Sequence, residues 1–271
     1  MLFGFSTLGC PSTSLHEAAD MAQRYGLDFL ELRSLQNTCN LPGLFEGKPI
    51  PEIPANIRLL ASSLHLTEGG DEAIGSFLEF AELAGRLGVP YVRVFGDTSF
   101  GEPLRDDALH QAAATIGICR AELSNRRLSC RMLLETHGNF SSGSVCLALN
   151  RLLPEPIEIL WDAHHTCYSA GEFIQETWQS LGPLIRHIHY KDSSHNSPET
   201  GTRSYTAPGK GDYPTGQLFQ HLRAENYREG VSLEWEKLWH PELPPLEVAL
   251  EAFARIVSPH GANDSQGSSM V

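Results

Sequence analysis

Residues 158–166 read EILWDAHHT: an apolar run, Ile159–Leu160–Trp161, that has the pattern of a buried strand and then delivers Asp162, His164 and His165. Strands usually give way to Gly, Pro, Asn or Ser turns. A strand that ends instead in a carboxylate and two imidazoles either carries an isolated polar cluster or supplies one arm of a ligand site. Which of the two holds depends on how the other strands end.

Short apolar, β-branched or aromatic runs recur at residues 3–8, 27–32, 59–66, 89–95, 128–135, 157–162, 185–190 and 231–236, and most are followed by a segment with helical spacing. Ser14 and Glu17 form a capping box that opens the first helix, and Gly26 closes it. Helices are predicted at about 71–87, stopped by Gly88, and at 106–123, 142–153, 171–181, 215–226 and 245–256. Strand–helix alternation on this scale implies a parallel sheet. Eight such units of about 30 residues need about 250 residues, the usual size of a (β/α)8 TIM barrel. A doubly wound open sheet is the rival, but the first strand–helix turn has no G-x-G-x-x-G fingerprint. The α/β class and the barrel are therefore the expectation, as a single domain over residues 1–257.

Two stretches break the rhythm. Pro42, Pro49, Pro51 and Pro54 crowd the segment between the second and third strands, so the second helix is expected to be missing or reduced to a turn. Residues 258–271, small and polar, are expected to form a disordered tail.

Composition narrows the function classes. The 271 residues are 41% hydrophobic, enough for a substantial core, and the formal net charge of -13 repels phosphate backbones. Nucleic-acid and membrane partners are not expected. No signal peptide or spanning run is evident, and six cysteines without C-x-x-C spacing suit a reducing compartment. A cytoplasmic protein is the resulting expectation.

In a (β/α)8 barrel the carboxyl ends of the strands line one mouth, where active sites sit. Here the third strand closes with His65, the fifth with Glu135 and His137, and the sixth with Asp162, His164 and His165. The seventh carries His187 and His189, followed by Lys191 and Asp192, and the eighth carries Glu234 and Glu236. Each buried unpaired charge costs several kcal/mol, whereas a divalent cation neutralises such a group together. Alternation puts His187, His189 and Lys191 on one face of their strand; it also puts Glu234 and Glu236 on a common face and does not choose between them.

FSTLGCP, LLETHGNF, LWDAHHT, HIHYKDS, GKGDYP and LEWEKLWHPEL, in this order and on these strands, resemble the xylose-isomerase-like barrel superfamily over nearly the whole chain. That group includes keto-sugar 3-epimerases, hydroxypyruvate isomerase, inosose dehydratase and type IV AP endonucleases. The resemblance implies that Glu135, Asp162, His189 and Glu234 are metal ligands, with Glu234 chosen because the last ligand opens an E-W-E-like stretch. It implies that His165 contacts substrate. Three carboxylates and an imidazole favour hard divalent ions: Mn2+ first, with Mg2+ or Co2+ as alternatives.

The implied chemistry is proton abstraction next to a carbonyl on a small-molecule keto-sugar or related polyol ketone, through an enediolate. The resemblance implies that Glu135 and Glu234 flank the reacting carbon, one of them taking a proton and the other returning it. Loss of a β-oxygen from the same enolate gives a dehydratase or keto-glycoside lyase instead, with Lys191, His137 or His195 as the acid. Keto-sugar epimerases carry an arginine six residues past the strand-seven ligand, where this chain has His195. The endonuclease branch needs further histidines: the fourth strand ends VRVFGDT without one, and no Asp-x-His pair follows the seventh, although His65 matches its strand-three ligand. A barrel without catalysis is the remaining alternative.

Each of these residues has a plainer reading. His65 and His137 either touch substrate or orient a carboxylate, and His187 packs or hydrogen-bonds behind the ligands. Lys191 and Asp192 either pair with each other or act on substrate. GKGDYP reads better as a loop-closing turn than as a phosphate cradle. Trp161 and Trp235 are expected in the core, and Trp239 over the substrate with Lys237 and His240. Arg33 and Arg93 are expected to pair with the ligand carboxylates rather than to touch substrate. The loops and the shortened second helix leave room for a homo-oligomer.

Overall fold

Glycine at position 4 admits the ring of Phe29, which lies 2.5 Å from where a Cβ would stand, and so lets the first two strands close over a crowded barrel floor. The protein is described by a computed structural model over residues 1–97, 103–196 and 202–258. The barrel strands are β1 (Leu2–Ser6), β2 (Phe29–Leu32), β3 (Asn56–His65), β4 (Tyr91–Phe95), β5 (Arg131–Glu135), β6 (Glu158–Asp162), β7 (Ile185–Tyr190) and, after an added hairpin of β8 (Asp192–His195) and β9 (Arg203–Thr206), β10 (Gly230–Leu233). They close in the order β1-β10-β7-β6-β5-β4-β3-β2, every neighbouring pair parallel. The expected TIM barrel is the observed one.

Helices α1 (Leu15–Arg24), α2 (Leu41–Phe45), α3 (Asp71–Leu87), α4 (Ala108–Asn125), α5 (Gly143–Arg151), α6 (Ala163–Tyr168), α7 (Ile174–Leu181), α8 (Thr215–Ala224) and α9 (Leu246–Val257) link the strands. The Ser14–Glu17 capping box opens α1 as the spacing predicts. The proline-rich segment yields only the five-residue α2, capped by Asn40. The tail expected from residue 258 onward lies, past Ser258 itself, outside the described residues. No helix among the described residues is long and apolar enough to cross a membrane.

Helix-facing and interior residues form separate layers, as alternation requires. Most buried apolar side chains pack between strands and helices, while Leu59, Tyr91, Leu133 and Leu160 form a small cluster of their own. Two residues further along three of those strands stand Arg93, Glu135 and Asp162, all buried. The floor is thus apolar and the layer above it is ionic.

Candidate metal centre

Asp162 ends β6 and at once caps α6: its Oδ1 accepts the backbone N–H groups of His164 at 3.0 Å and His165 at 2.8 Å. The carboxylate therefore terminates a strand, starts a helix and keeps Oδ2 for the barrel mouth. This turn decides where both histidines go. His164 swings behind the site, its Nε2 2.7 Å from Ser193 Oγ, and burial next to Lys191 pushes it down to about 2. His165 stays at the mouth, with Nε2 3.5 Å from Asp162 Oδ2 and 3.4 Å from Lys191 Nζ.

His189, at the end of β7, faces three carboxylates. Its Nε2 donates to Glu31 Oε2 at 2.8 Å, and its Nδ1 lies 3.5 Å from Glu135 Oε1 and 3.3 Å from Glu234 Oε1. Burial pushes the imidazole down, but Glu234, Glu31 and Glu135 more than offset it and hold it well above its usual range. Glu135 also accepts from Arg93 Nη1 at 2.7 Å. Burial would raise that carboxyl; Arg93 and His189 bring it down to about 2.

One ligand atom each from Glu135, Asp162, His189 and Glu234 falls within 4.8 Å of all the others. Atoms about 2.1 Å from a shared ion lie up to about 4.2 Å apart, so this spread is close to a coordination shell. The donor set suits a hard divalent ion. His189 Nδ1 fits as well: it is buried and faces the Glu135 and Glu234 carboxylates at 3.5 Å and 3.3 Å, while its other nitrogen is fixed by Glu31. An imidazole held this way presents its Nδ1 to a metal.

Glu31 is the residue that sequence reasoning missed. It lies fully buried on β2, 158 positions from His189, in an FLEL stretch that reads as ordinary strand. The signal was the one charged residue in that apolar run. Its Oε2 also sits 3.2 Å from His187 Nε2, which in turn lies 2.7 Å from Ser232 Oγ. Glu31, His187 and His189 also have ligand atoms close together, but the contacts among them are hydrogen bonds that brace His189. His187 thus has the supporting place the alternation suggested.

Lys191 does not pair with Asp192. Its Nζ lies 2.9 Å from Asp162 Oδ2, 2.6 Å from Glu234 Oε2 and 2.7 Å from Glu236 Oε1, and the side chain is buried. Burial lowers an ammonium, but these three carboxylates hold it well above its ordinary value. Strand alternation left Glu234 and Glu236 equivalent; the fold separates them, because Glu234 reaches both His189 and Lys191 while Glu236 reaches Lys191 alone. Glu236 is pushed up by burial, with Lys191 only partly opposing it.

Asp192 faces the other way, into GKGDYP. It accepts four backbone N–H groups: Ser193 at 2.8 Å, Gly209 at 2.8 Å, Gly211 at 3.0 Å and Tyr213 at 3.2 Å. These donors are satisfied within the chain, and the loop closes the hairpin. Asp192→Asn turns one acceptor into a donor facing N–H groups. It is expected to lower stability by about 1–3 kcal/mol, and an unshifted urea midpoint would contradict the cradle.

The remaining residues form walls. His65 stacks on Phe95 at 5.1 Å, Phe95 meets His137 at 4.6 Å, and His137 meets His165 at 4.9 Å. His65 and His137 therefore belong to an aromatic rim, and neither is a member of the four-donor group. Trp161 and Trp235 are buried, as expected. Trp239 is 57% exposed, and its backbone N–H donates to Glu236 O at 3.0 Å. Lys237 ties its own loop, donating to Pro241 O at 2.7 Å and to Leu243 O, and His240 Nδ1 lies 3.1 Å from Glu242. Of the two arginines expected to pair with ligand carboxylates, Arg93 does. Arg33 makes no ion pair with any described carboxylate.

These features have a family. The xylose isomerase-like TIM barrel model matches residues 20–256, and the chain belongs to that family. Solved structures share the fold at low identity. The probable 3-DHS dehydratase AsbF of Bacillus anthracis is 18% identical, with a TM-score of 0.72 over 93% of this chain and 98% of that one. The IOLI protein with a bound zinc atom is 17% identical, TM-score 0.73, over 95% and 98%. A D-tagatose 3-epimerase-like protein is 17% identical, TM-score 0.62, over 93% and 99%. No curated protein matches the sequence. The neighbours thus include a probable dehydratase and an epimerase-like protein on one barrel.

Proposed function

We propose that the chain is a divalent-metal-dependent sugar isomerase or epimerase acting on a keto-sugar or related polyol ketone. The observation that carries this reading is the convergence of Glu135, Asp162, His189 and Glu234 on one point at the barrel mouth. These four would hold the ion, which when bound supplies positive charge where a substrate oxygen becomes negative. Manganese suits the donor set, with magnesium or cobalt as alternatives.

The chain's own residues then divide the work. Glu135 on β5 and Glu234 after β10 approach His189 from two sides, separated by β6 and β7 in the barrel order. A carbon between them can lose its proton to one carboxylate and regain a proton from the other. Glu31 and His187 hold His189, and Arg93 holds Glu135. His165 faces a substrate oxygen, and the His65–Phe95–His137 rim excludes water from one side. The six cysteines, all unpaired, suit the reducing cytoplasm.

Lys191 supports a second reading. An ammonium 2.6 Å from Glu234 and 3.4 Å from His165 is placed to protonate a departing oxygen, which would make the enzyme a dehydratase or keto-glycoside lyase. Chelator-stripped protein reloaded with Mn2+, Mg2+ or Co2+ and given a ketose panel in D2O tests both readings. Isomerisation or epimerisation should place deuterium on carbon without a chromophore, whereas elimination should add an enone or diketone absorbance. We expect about one ion per chain and loss of all turnover on stripping; neither exchange nor absorbance with any metal would end the proposal.

A further inference from the structure

Alternation along β2 places Arg33 above Glu31. Glu31 points inward to His189, and Arg33, two residues on, follows on the same side just past the strand end. Its backbone N–H is fixed by Thr7 Oγ1 at 3.0 Å, and its Nη2 donates to Ser63 Oγ at 3.1 Å. Its Nη1 is buried and has no hydrogen-bond partner among the described residues. Burial lowers this guanidinium, and Arg93 beside it lowers it further. Arg93 is already committed, with Nη1 on Glu135 and its guanidinium 3.8 Å over the Phe95 ring. A buried cationic N–H without a partner is costly unless a ligand or an ordered water supplies the acceptor.

We infer that Arg33 Nη1, with the exposed Ser63 hydroxyl beside it, receives a carboxylate of the substrate, so that the ketose acted on is a sugar acid or a related keto-polyol carboxylate. Arginine recognises carboxylates through directed N–H donors, and among the described residues Arg33 pairs with no carboxylate of this largely anionic cluster. A phosphate monoester fits less well. Its three outer oxygens and nearly two charges call for more donors than one guanidinium edge and one hydroxyl, and the backbone N–H groups of the GKGDYP loop are spent on Asp192. The inference deepens the proposed function and rests on it for the word substrate, but the anion site stands on Arg33 alone.

The test is binding rather than turnover. Isothermal titration with D-gluconate, D-glucitol and D-glucitol 6-phosphate is run on wild type and Arg33→Gln, each as chelator-stripped and as Mn2+-loaded protein. Gluconate is expected to bind wild type at least about tenfold tighter than glucitol in both states, and Arg33→Gln to remove that preference. Ser63→Ala should weaken gluconate by a smaller factor. Equal affinity for gluconate and glucitol, or an unchanged gluconate preference in Arg33→Gln, overturns the inference. Preference for the phosphate overturns the carboxylate assignment. Mn2+ binding by Arg33→Gln, expected to match wild type, shows that the variant is folded and separates the two claims. Loss of Mn2+ binding in wild type with gluconate still held would sink the metal-enzyme reading and leave the anion site intact.

Discussion

Glu135→Gln is expected to lower turnover of a cognate ketose by about 10²–10⁴-fold, the range typical of losing a positioned proton carrier. Glutamine keeps the length and an oxygen for Arg93 Nη1, which now lies 2.7 Å from Oε2. It removes the charge that accepts a proton and that would face the cation. Glu234→Gln should behave alike, since its Oε1 stands 3.3 Å from the same imidazole nitrogen. Turnover, solvent-deuterium exchange and metal content measured on one preparation separate lost chemistry from lost metal. If either variant keeps its ion and works within twofold of wild type, that carboxylate carries no proton.

Lys191→Met should produce the largest change in stability. The buried ammonium touches Asp162, Glu234 and Glu236, and removing it leaves three buried carboxylates without that counter-charge. Breaking such a buried pair typically costs about 3–5 kcal/mol. Burial raises Glu234, but His189 and Lys191 outweigh it and hold its carboxyl well below the usual range. A depressed carboxyl contributes stability above its unfolded pKa of about 4.3 and loses it as pH falls through the folded value. The deficit of Lys191→Met should therefore be full at neutral pH and shrink in acid. Added Mn2+ should stabilise the variant more than wild type, because a bound cation supplies the missing charge. Equal denaturation midpoints for stripped variant and wild type at pH 7 would show that the ammonium is not a counter-ion.

Much of the barrel was legible because its signals are local. The capping box at Ser14, the proline-crowded second segment and the apolar runs each act within a few residues, and the eight barrel strands lie where those runs are. The strand-end carboxylates and imidazoles were readable as a group because barrel geometry sends such positions to one mouth, whereas choosing His189 and Glu234 among them rested on the family resemblance. What escaped depends on distant partners. Glu31 looks like any glutamate until His189 folds against it. The hairpin of β8 and β9 is built from DSSH and RSYT, polar quartets that show no strand pattern; Asp192 is clamped at its root, and Arg203, paired with His195 at the outer end, reaches back to Ser193 Oγ at 2.7 Å. The eighth barrel strand ends at Leu233, so Glu234 and Glu236 stand on the loop beyond it rather than within it. Lys191 was ambiguous for the same reason: two adjacent opposite charges suggest a pair, yet the backbone turns them to opposite sides.

That back-to-back arrangement constrains how the protein can diversify. Lys191 looks into the barrel while Asp192, its covalent neighbour, is clamped by the loop of Gly209, Gly211 and Tyr213. The ammonium's position is thereby indexed to the root of the hairpin and is indifferent to its tip. Insertions beyond the paired residues leave the charge at the root untouched. One residue inserted between His189 and Asp192 would throw both groups out of phase at once. Variation in selectivity should therefore accumulate at the outer end of this excursion, with its root kept invariant.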